Sequence, residues 1–258
     1  MGLVGPNGFI GSNLARRSGA SAVYGRNDGA QLAKSEHELL ICAGAPAEKW
    51  KANRFPEDDS RNLEVLAQNL STSRAKTFVL ISTIDVLGSG ARNVESDDIS
   101  SNEKDAYGLN RYRFELEVST MFEKVLIIRL PGMFGPGLKK NLIYDLLNKK
   151  ELPNINSNST FQWFDVRDIW PSILVALQED IKILHLATEP ISVLDLVTRL
   201  EPSRTVELEN SQTEVKEYSM KTAFAGLIAD REGPYLKSKN EVAAQIESWY
   251  EYEKTSAR

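Results

Sequence analysis

A single cysteine and two histidines are all that 258 residues provide of the usual disulfide partners and soft metal ligands. Cys42 has no partner within the chain and falls in the apolar run Leu39-Leu40-Ile41-Cys42-Ala43, which points to a buried, inert thiol. No metal site is expected. No apolar stretch is long enough to span a bilayer, and no charged-then-apolar leader opens the sequence, so a cytoplasmic protein with no membrane partner is expected. Positive charge is also scarce: 31 Lys and Arg against 36 Asp and Glu give a formal charge of −5. That balance supplies no electrostatic reason for nucleic acid as a partner. Internal repeats and low-complexity tracts are missing as well. What remains is an ordinary globular composition, 41% hydrophobic and 26% charged, long enough for one large core or a core plus a lobe.

The informative stretch is the first dozen residues. Leu3-Val4-Gly5-Pro6-Asn7-Gly8-Phe9-Ile10-Gly11 reads as a strand end, a glycine turn and the opening of a helix. Such a turn sets backbone N–H groups and a helix N-terminus against a pyrophosphate. Gly5 allows the tight turn, Gly8 lets backbone approach phosphate, and Gly11 lets the helix lie close to the strand. Phe9, Ile10 and Leu14 form one helical face, and Gly19 is the expected stop.

A second short strand, Ser21 to Gly25, leads to Arg26-Asn27-Asp28. In a dinucleotide fold the residue roughly 20 positions past the first glycine meets the adenosine ribose. A guanidinium there pairs with a 2′-phosphate through a fork of donors, so NADP is favoured, with NAD as the alternative. A solvated Arg26 with Asp28 on the ribose is the competing reading. The next strand, Leu39 to Cys42, runs into Ala43-Gly44-Ala45, small residues that leave room for a flat cofactor or for a helix. Between Arg26 and Leu39 a strand and helix barely fit, so the sheet is abbreviated.

Asp58 to Leu70 carries Leu63, Leu66, Ala67 and Leu70 at helical spacing. Thr77 to Ile81 is an apolar run suited to a buried parallel strand, ending in Ser82-Thr83. Hydroxyls there face the ligand crevice of such sheets, or cap the following turn. Arg92 to Lys104 is a polar loop. Tyr107 and Arg111 then share one face of a helix, and Val125 to Leu130 is a further buried strand broken by Pro131-Gly132. Five such units imply an α/β fold with a doubly wound parallel sheet. Beyond Gly132 loops bracket a helix near Asn141–Leu147, Phe161 to Phe164 reads as a short strand, and Asp168 as a helix cap. Ile183 to Ala187 reads as a last strand, in which His185 is either a base or a packed, hydrogen-bonded side chain. Tyr250 and Lys254 repeat the four-residue spacing of Tyr107 and Arg111, but in a C-terminal stretch that reads as a solvated helix end.

Together these features resemble the extended short-chain dehydrogenase/reductases, the NAD-dependent epimerase/dehydratase family. The resemblance rests on Gly5, Gly8 and Gly11, on Ala43-Gly44-Ala45, on Ser82-Thr83-Ile84-Asp85-Val86-Leu87-Gly88, and on Tyr107 with Arg111. Arg129-Leu130-Pro131-Gly132 and Phe161-Gln162-Trp163-Phe164-Asp165-Val166-Arg167-Asp168 complete it. It implies a Rossmann-like domain over 1–131 plus 161–188 and a small substrate lobe over 132–160 plus 189–258. It implies cofactor contacts from Gly5, Asn7, Gly8, Phe9, Ile10, Gly11, Arg26, Asn27, Ala43, Gly44, Ala45, Ser82, Tyr107, Arg111, Leu130, Pro131 and Gly132.

Tyr107 would be the acid/base group, assisted by Thr83 and Arg111, while Thr83, Lys140 and Asn141 would face a sugar or nucleotide-sugar substrate. Lys139 and Lys140 also read as a plain solvated pair. The family carries lysine where this chain has Arg111; arginine keeps the positive charge but cannot give up its proton. Thr83-Ile84-Asp85 lacks the order found in the family's dehydratases, so a reductase or epimerase is expected. The rival reading is a catalytically silent NADP-binding sensor or assembly protein. Homodimers of the family form through helices that correspond to Asp58–Leu70 and Tyr107–Met121.

Overall fold

The computed structural model describes residues 1–88, 93–99, 104–208 and 213–256. The chain opens with β1 (Gly2–Val4), α1 (Phe9–Ser18), β2 (Ala22–Tyr24), α2 (Gly29–Leu32) and β3 (Glu36–Cys42). α3 (Lys49–Arg54), α4 (Pro56–Ser71), β4 (Arg74–Thr83), α5 (Ala106–Ser119) and β5 (Lys124–Leu130) follow. Next come β6 (Gly132–Phe134), α6 (Leu142–Leu147), β7 (Thr160–Phe161), β8 (Trp163–Asp165), α7 (Ile169–Gln178) and β9 (Ile183–His185). β10 (Ile191–Ser192), α8 (Val193–Leu200), α9 (Ala225–Ala229) and α10 (Lys239–Ser256) complete the described elements. Part of the expected loop from Arg92 to Lys104 lies outside the described residues.

The chain divides into two compact units. The first comprises Met1–Gly88, Glu95–Leu130 and Ile169–His185. Its six strands are all parallel, in the order β2-β1-β3-β4-β5-β9. The chain leaves β1 toward β2 and returns to its other side as β3, which makes the β1/β3 boundary the topological switch point. Among the described residues only β2 lies beyond β1 on that edge, the abbreviation expected from the short span between Arg26 and Leu39.

Side chains alternate across the pleat. Val4, Leu40, Cys42, Phe78 and Leu80 meet Leu63, Ala67 and Leu70 of α4 and Phe114 and Val118 of α5 in one core. Helices α1 and α7 contact each other, as do α2 and α4. Gly19, at φ +64°, ends α1 in the left-handed conformation that a helix stop favours. Cys42 is fully buried, and burial pushes its thiol up to about 11.

The second unit comprises Ser89–Val94, Pro131–Asp168 and Leu186–Arg258. Phe134, Leu142, Ile143, Leu146, Leu196, Ile246 and Trp249 belong to its core, which joins α6, α8 and α10. Two differences from the sequence expectations stand out. Residues 161–168 belong here rather than with the parallel sheet, because β8 pairs with β6, residue Trp163 opposite Gly132. The C-terminal stretch is the 18-residue helix α10, and Tyr250 within it is completely buried rather than solvated. Its hydroxyl donates to Glu201 Oε1 at 2.9 Å, an acceptor shared with Lys254 Nζ.

Candidate active site

Within the first unit, β1 ends at Val4 and the backbone turns at Gly5 with φ +81°, a region that L side chains rarely adopt. Neighbouring strands hold the turn: Gly5 N–H donates to the Tyr24 carbonyl at 2.8 Å, and Ala43 N–H to the Val4 carbonyl at 2.9 Å. A Cβ at residue 5 would lie 2.5 Å from the Ala43 carbonyl oxygen, and one at residue 11 only 1.9 Å from the Gly5 carbonyl oxygen. The chain's own backbone therefore demands both glycines. Gly8 differs, since the nearest atom to an added Cβ is 3.7 Å away. Folding does not need its bareness, and the space it leaves is open to a ligand.

Helix α1 starts with no side-chain cap and no acidic residue in its first turn. Its first bonded amide is that of Ser12, donating to the Gly8 carbonyl at 2.8 Å. The amides of Phe9, Ile10 and Gly11 find no acceptor among the described residues. Open N–H groups at the positive end of a helix dipole fit a phosphate. The turn and helix thus fit the diphosphate of a dinucleotide. Ala43, Gly44 and Ala45 are half-buried at the end of β3, beside this turn. Arg26 and Asn27 are exposed after β2, and the Asp28 carboxylate bends back to accept the Gly25 N–H at 2.8 Å.

The hydroxyls at the end of β4 are already engaged. Ser82 Oγ donates to Glu115 Oε1 at 2.5 Å, inside a buried network in which Arg129 also binds Glu115 and lies 3.1 Å from His185 Nε2. His185 is therefore a packed, hydrogen-bonded side chain. Thr83 Oγ1 donates to Asp85 Oδ2 at 2.8 Å and accepts the Asp85 N–H at 3.2 Å, capping the short 3-10 turn Ile84–Leu87. Lys49 Nζ binds Asp85 as well, and Asp105 Oδ2 at 2.9 Å.

Tyr107 and Arg111 lie together on α5, as their spacing predicts. The Tyr107 N–H donates to Asn53 Oδ1 at 2.9 Å, and the Asp105 carboxylate caps the helix by accepting the Gly108 N–H. The Arg111 guanidinium lies 4.4 Å from the centre of the Tyr107 ring. Burial raises the phenol above its ordinary value; Arg111 and Lys49 pull it down and Asp85 pushes it up, leaving a net rise. Arg111 is itself claimed by a residue that the sequence reading did not single out. Asp59, in the first turn of α4, accepts from Nη1 and Nη2 at 2.9 Å each. In the sequence Asp59 is one of three consecutive acids, Glu57-Asp58-Asp59, that look alike as complements to a helix dipole.

Leu130 ends β5 in the first unit and is buried. The remaining candidates belong to the second unit. Pro131 is buried, and a Cβ on Gly132 would meet the Gln162 carbonyl oxygen at 2.9 Å and the Trp163 ring at 3.0 Å. Lys140 is exposed. Asn141 is occupied structurally: its Nδ2 donates to the Met133 carbonyl at 2.9 Å, and its Oδ1 caps α6 by accepting the Tyr144 N–H at 3.1 Å. Among the described residues no cluster of side chains could hold a metal ion, and no helix is long and apolar enough to cross a membrane.

No protein-family model matches the chain, and no curated protein matches it by sequence. Solved structures do. The NAD-dependent NDP-hexosamine 5,6-dehydratase TunA, involved in tunicamycin biosynthesis, superposes with a TM-score of 0.73 at 16% identity, covering 97% of each chain. A UDP-glucuronic acid 4-epimerase from Bacillus cereus, in complex with UDP-glucuronic acid and NAD, gives 0.66 at 15% identity over 98% of each chain. A dTDP-4-dehydrorhamnose reductase from Clostridium acetobutylicum gives 0.69 at 14% identity, covering 97% of this chain and 98% of that one. At this level of identity the likeness establishes a shared fold along nearly the whole length.

Proposed function

We propose that the protein is a cytoplasmic NAD(P)-dependent oxidoreductase, a reductase or epimerase acting at a carbonyl or hydroxyl of a sugar or nucleotide-sugar. The observation that carries this reading is the pairing, in one compact unit, of an uncapped α1 N-terminus with a buried tyrosine lying under a guanidinium. Solved proteins of the same fold that act on nucleotide-sugars add support. The amides of Phe9, Ile10 and Gly11 hold the diphosphate, Asn7 and Gly8 border it, and Ala43 to Ala45 flank the adenosine side. Arg26 reaches the ribose, or its 2′-phosphate where NADP is taken. A nicotinamide dinucleotide, when bound, supplies or accepts the hydride.

Tyr107 Oη moves the proton to or from the substrate oxygen, and burial keeps that proton on the phenol until the substrate arrives. Thr83 can donate to the same oxygen only by giving up its bond to the Asp85 carboxylate. Homodimers would form on α4 and α5, where Val65 and Leu116 are exposed, and sedimentation of a Leu116→Glu variant checks this.

A second reading, a dinucleotide-binding protein without turnover, draws on the ion pair that holds Arg111 to Asp59. Calorimetry with both dinucleotides, followed by turnover assays on a panel of nucleotide-sugars, separates the two. The enzyme reading requires conversion that Tyr107→Phe lowers by about 10²-fold or more. Binding with no conversion across the panel selects the second reading, and no binding of either dinucleotide rejects both.

A further inference from the structure

Arg111 is only 3% exposed, and its guanidinium is occupied on several sides. Nη1 and Nη2 form a fork onto both Asp59 oxygens, Nη2 also donates to the Pro46 carbonyl, and the plane lies over the Tyr107 ring. Asp59 is equally enclosed at 6% exposure and accepts a further bond from Asn110 Nδ2 at 3.0 Å. Only Nε of Arg111, buried as well, has no hydrogen-bond partner among the described residues.

A two-point fork fixes orientation as well as charge. The guanidinium cannot leave its place beside the Tyr107 side chain without breaking charge-assisted bonds. The Asp59 carboxylate bound to the guanidinium opposes part of the pull that the Arg111 charge exerts on a third group nearby. Among the described residues the other charged groups acting on Tyr107 are Asp85 beyond β4 and Lys49 on α3, and Asp105 caps the start of α5. Lys49 is paired to both of those carboxylates. Tyr107 thus has charges of both signs acting on it.

We propose that Asp59 is a positioning residue for the acid–base pair: it pins Arg111 flat against Tyr107 and offsets part of its charge, which helps to hold residue 107 as a proton-donating phenol. This rests on the reading of Tyr107 as the acid/base group and adds a direction to it. A resting phenol suits carbonyl reduction. In that reaction the carbonyl carbon gains a hydride from a reduced nicotinamide dinucleotide, the carbonyl π pair moves to oxygen, and the oxygen takes the Tyr107 proton. Water then returns a proton to residue 107.

The test follows the ionisation of Tyr107 by NMR of full-length protein carrying carbon-13 at the tyrosine Cζ, the signal being assigned by its loss in Tyr107→Phe. In Asp59→Asn the freed charge of Arg111 lowers the titration midpoint by about one pH unit. Asp59→Glu and the doubly neutral Asp59→Asn/Arg111→Gln return it to the wild-type value. An Asp59→Asn midpoint equal to wild type overturns the proposal.

Should Asp59→Asn fail to fold, wild type is compared with the doubly neutral variant. Coincident midpoints support compensation by Asp59, and a wild-type midpoint lower by about one pH unit refutes it. Dinucleotide affinity is measured on the same samples. Wild type that binds no dinucleotide overturns the enzyme reading, whereas intact binding with an unmoved midpoint overturns only the role of Asp59.

Discussion

A side chain on Gly11 would place its first carbon 1.9 Å from the carbonyl oxygen of Gly5, whereas Gly8, midway between them, has nothing nearer than 3.7 Å. One loop thus contains two glycines required by the fold and one that the fold leaves optional. Gly11→Ala is expected to lose about 1–3 kcal/mol or more, since backbone and not a flexible side chain must move. Gly8→Ala is expected to keep wild-type stability in urea while its dinucleotide affinity falls at least about tenfold, because the methyl group occupies the phosphate's approach. Equal damage to stability from both substitutions would contradict this division.

Arg26 is expected to decide the choice of cofactor. Its guanidinium is exposed, and the nearby Asp28 carboxylate is drawn back onto the Gly25 amide. Arg26→Ala should weaken NADPH binding by about tenfold and leave NADH nearly unchanged, because only a 2′-phosphate needs the fork of donors. Calorimetry with both dinucleotides reads this directly. Parallel loss of both affinities would assign Arg26 to the diphosphate instead.

The pair Glu115 and Arg129, 2% and 3% exposed, is the most enclosed ion pair among the described residues. Arg129→Met strands a buried carboxylate that Ser82 alone would still serve, and should cost about 3–5 kcal/mol in urea unfolding. Glu115→Gln/Arg129→Met removes both charges and should recover most of that loss. A single substitution costing under about 1 kcal/mol would mean that water already reaches the pair.

Stability should fall on the alkaline side. The Cys42 thiol rises on folding from its ordinary 9.0 to about 11, so the unfolded chain gives up this proton first. The associated stability is fully present below pH 9 and is lost as pH rises to about 11, amounting to about 2–3 kcal/mol. Tyr107 and Tyr250 shift in the same direction and extend the decline above the ordinary tyrosine range. Urea unfolding of Cys42→Ala at successive pH values should show a flatter profile between pH 9 and 11; an unchanged slope would remove the thiol from the account.

Local pattern alone was enough for the glycine turn, the buried strands and the α4 stripe of Leu63, Ala67 and Leu70. It also placed Tyr107 and Arg111 on one helical face. All of these depend on residues a few positions apart, where backbone geometry dictates which side chains meet. Tertiary structure decided what each site group is bonded to. Asp59 reaches Arg111 across 52 positions, Glu115 takes the Ser82 hydroxyl across 33, and Tyr250 is buried in the second unit's core. Residues 161–168 joined that unit through a strand pairing with residues 132–134. Partners so distant are set by how helices and strands come together in space, and one acid in a run of three carries no local mark of which will turn inward.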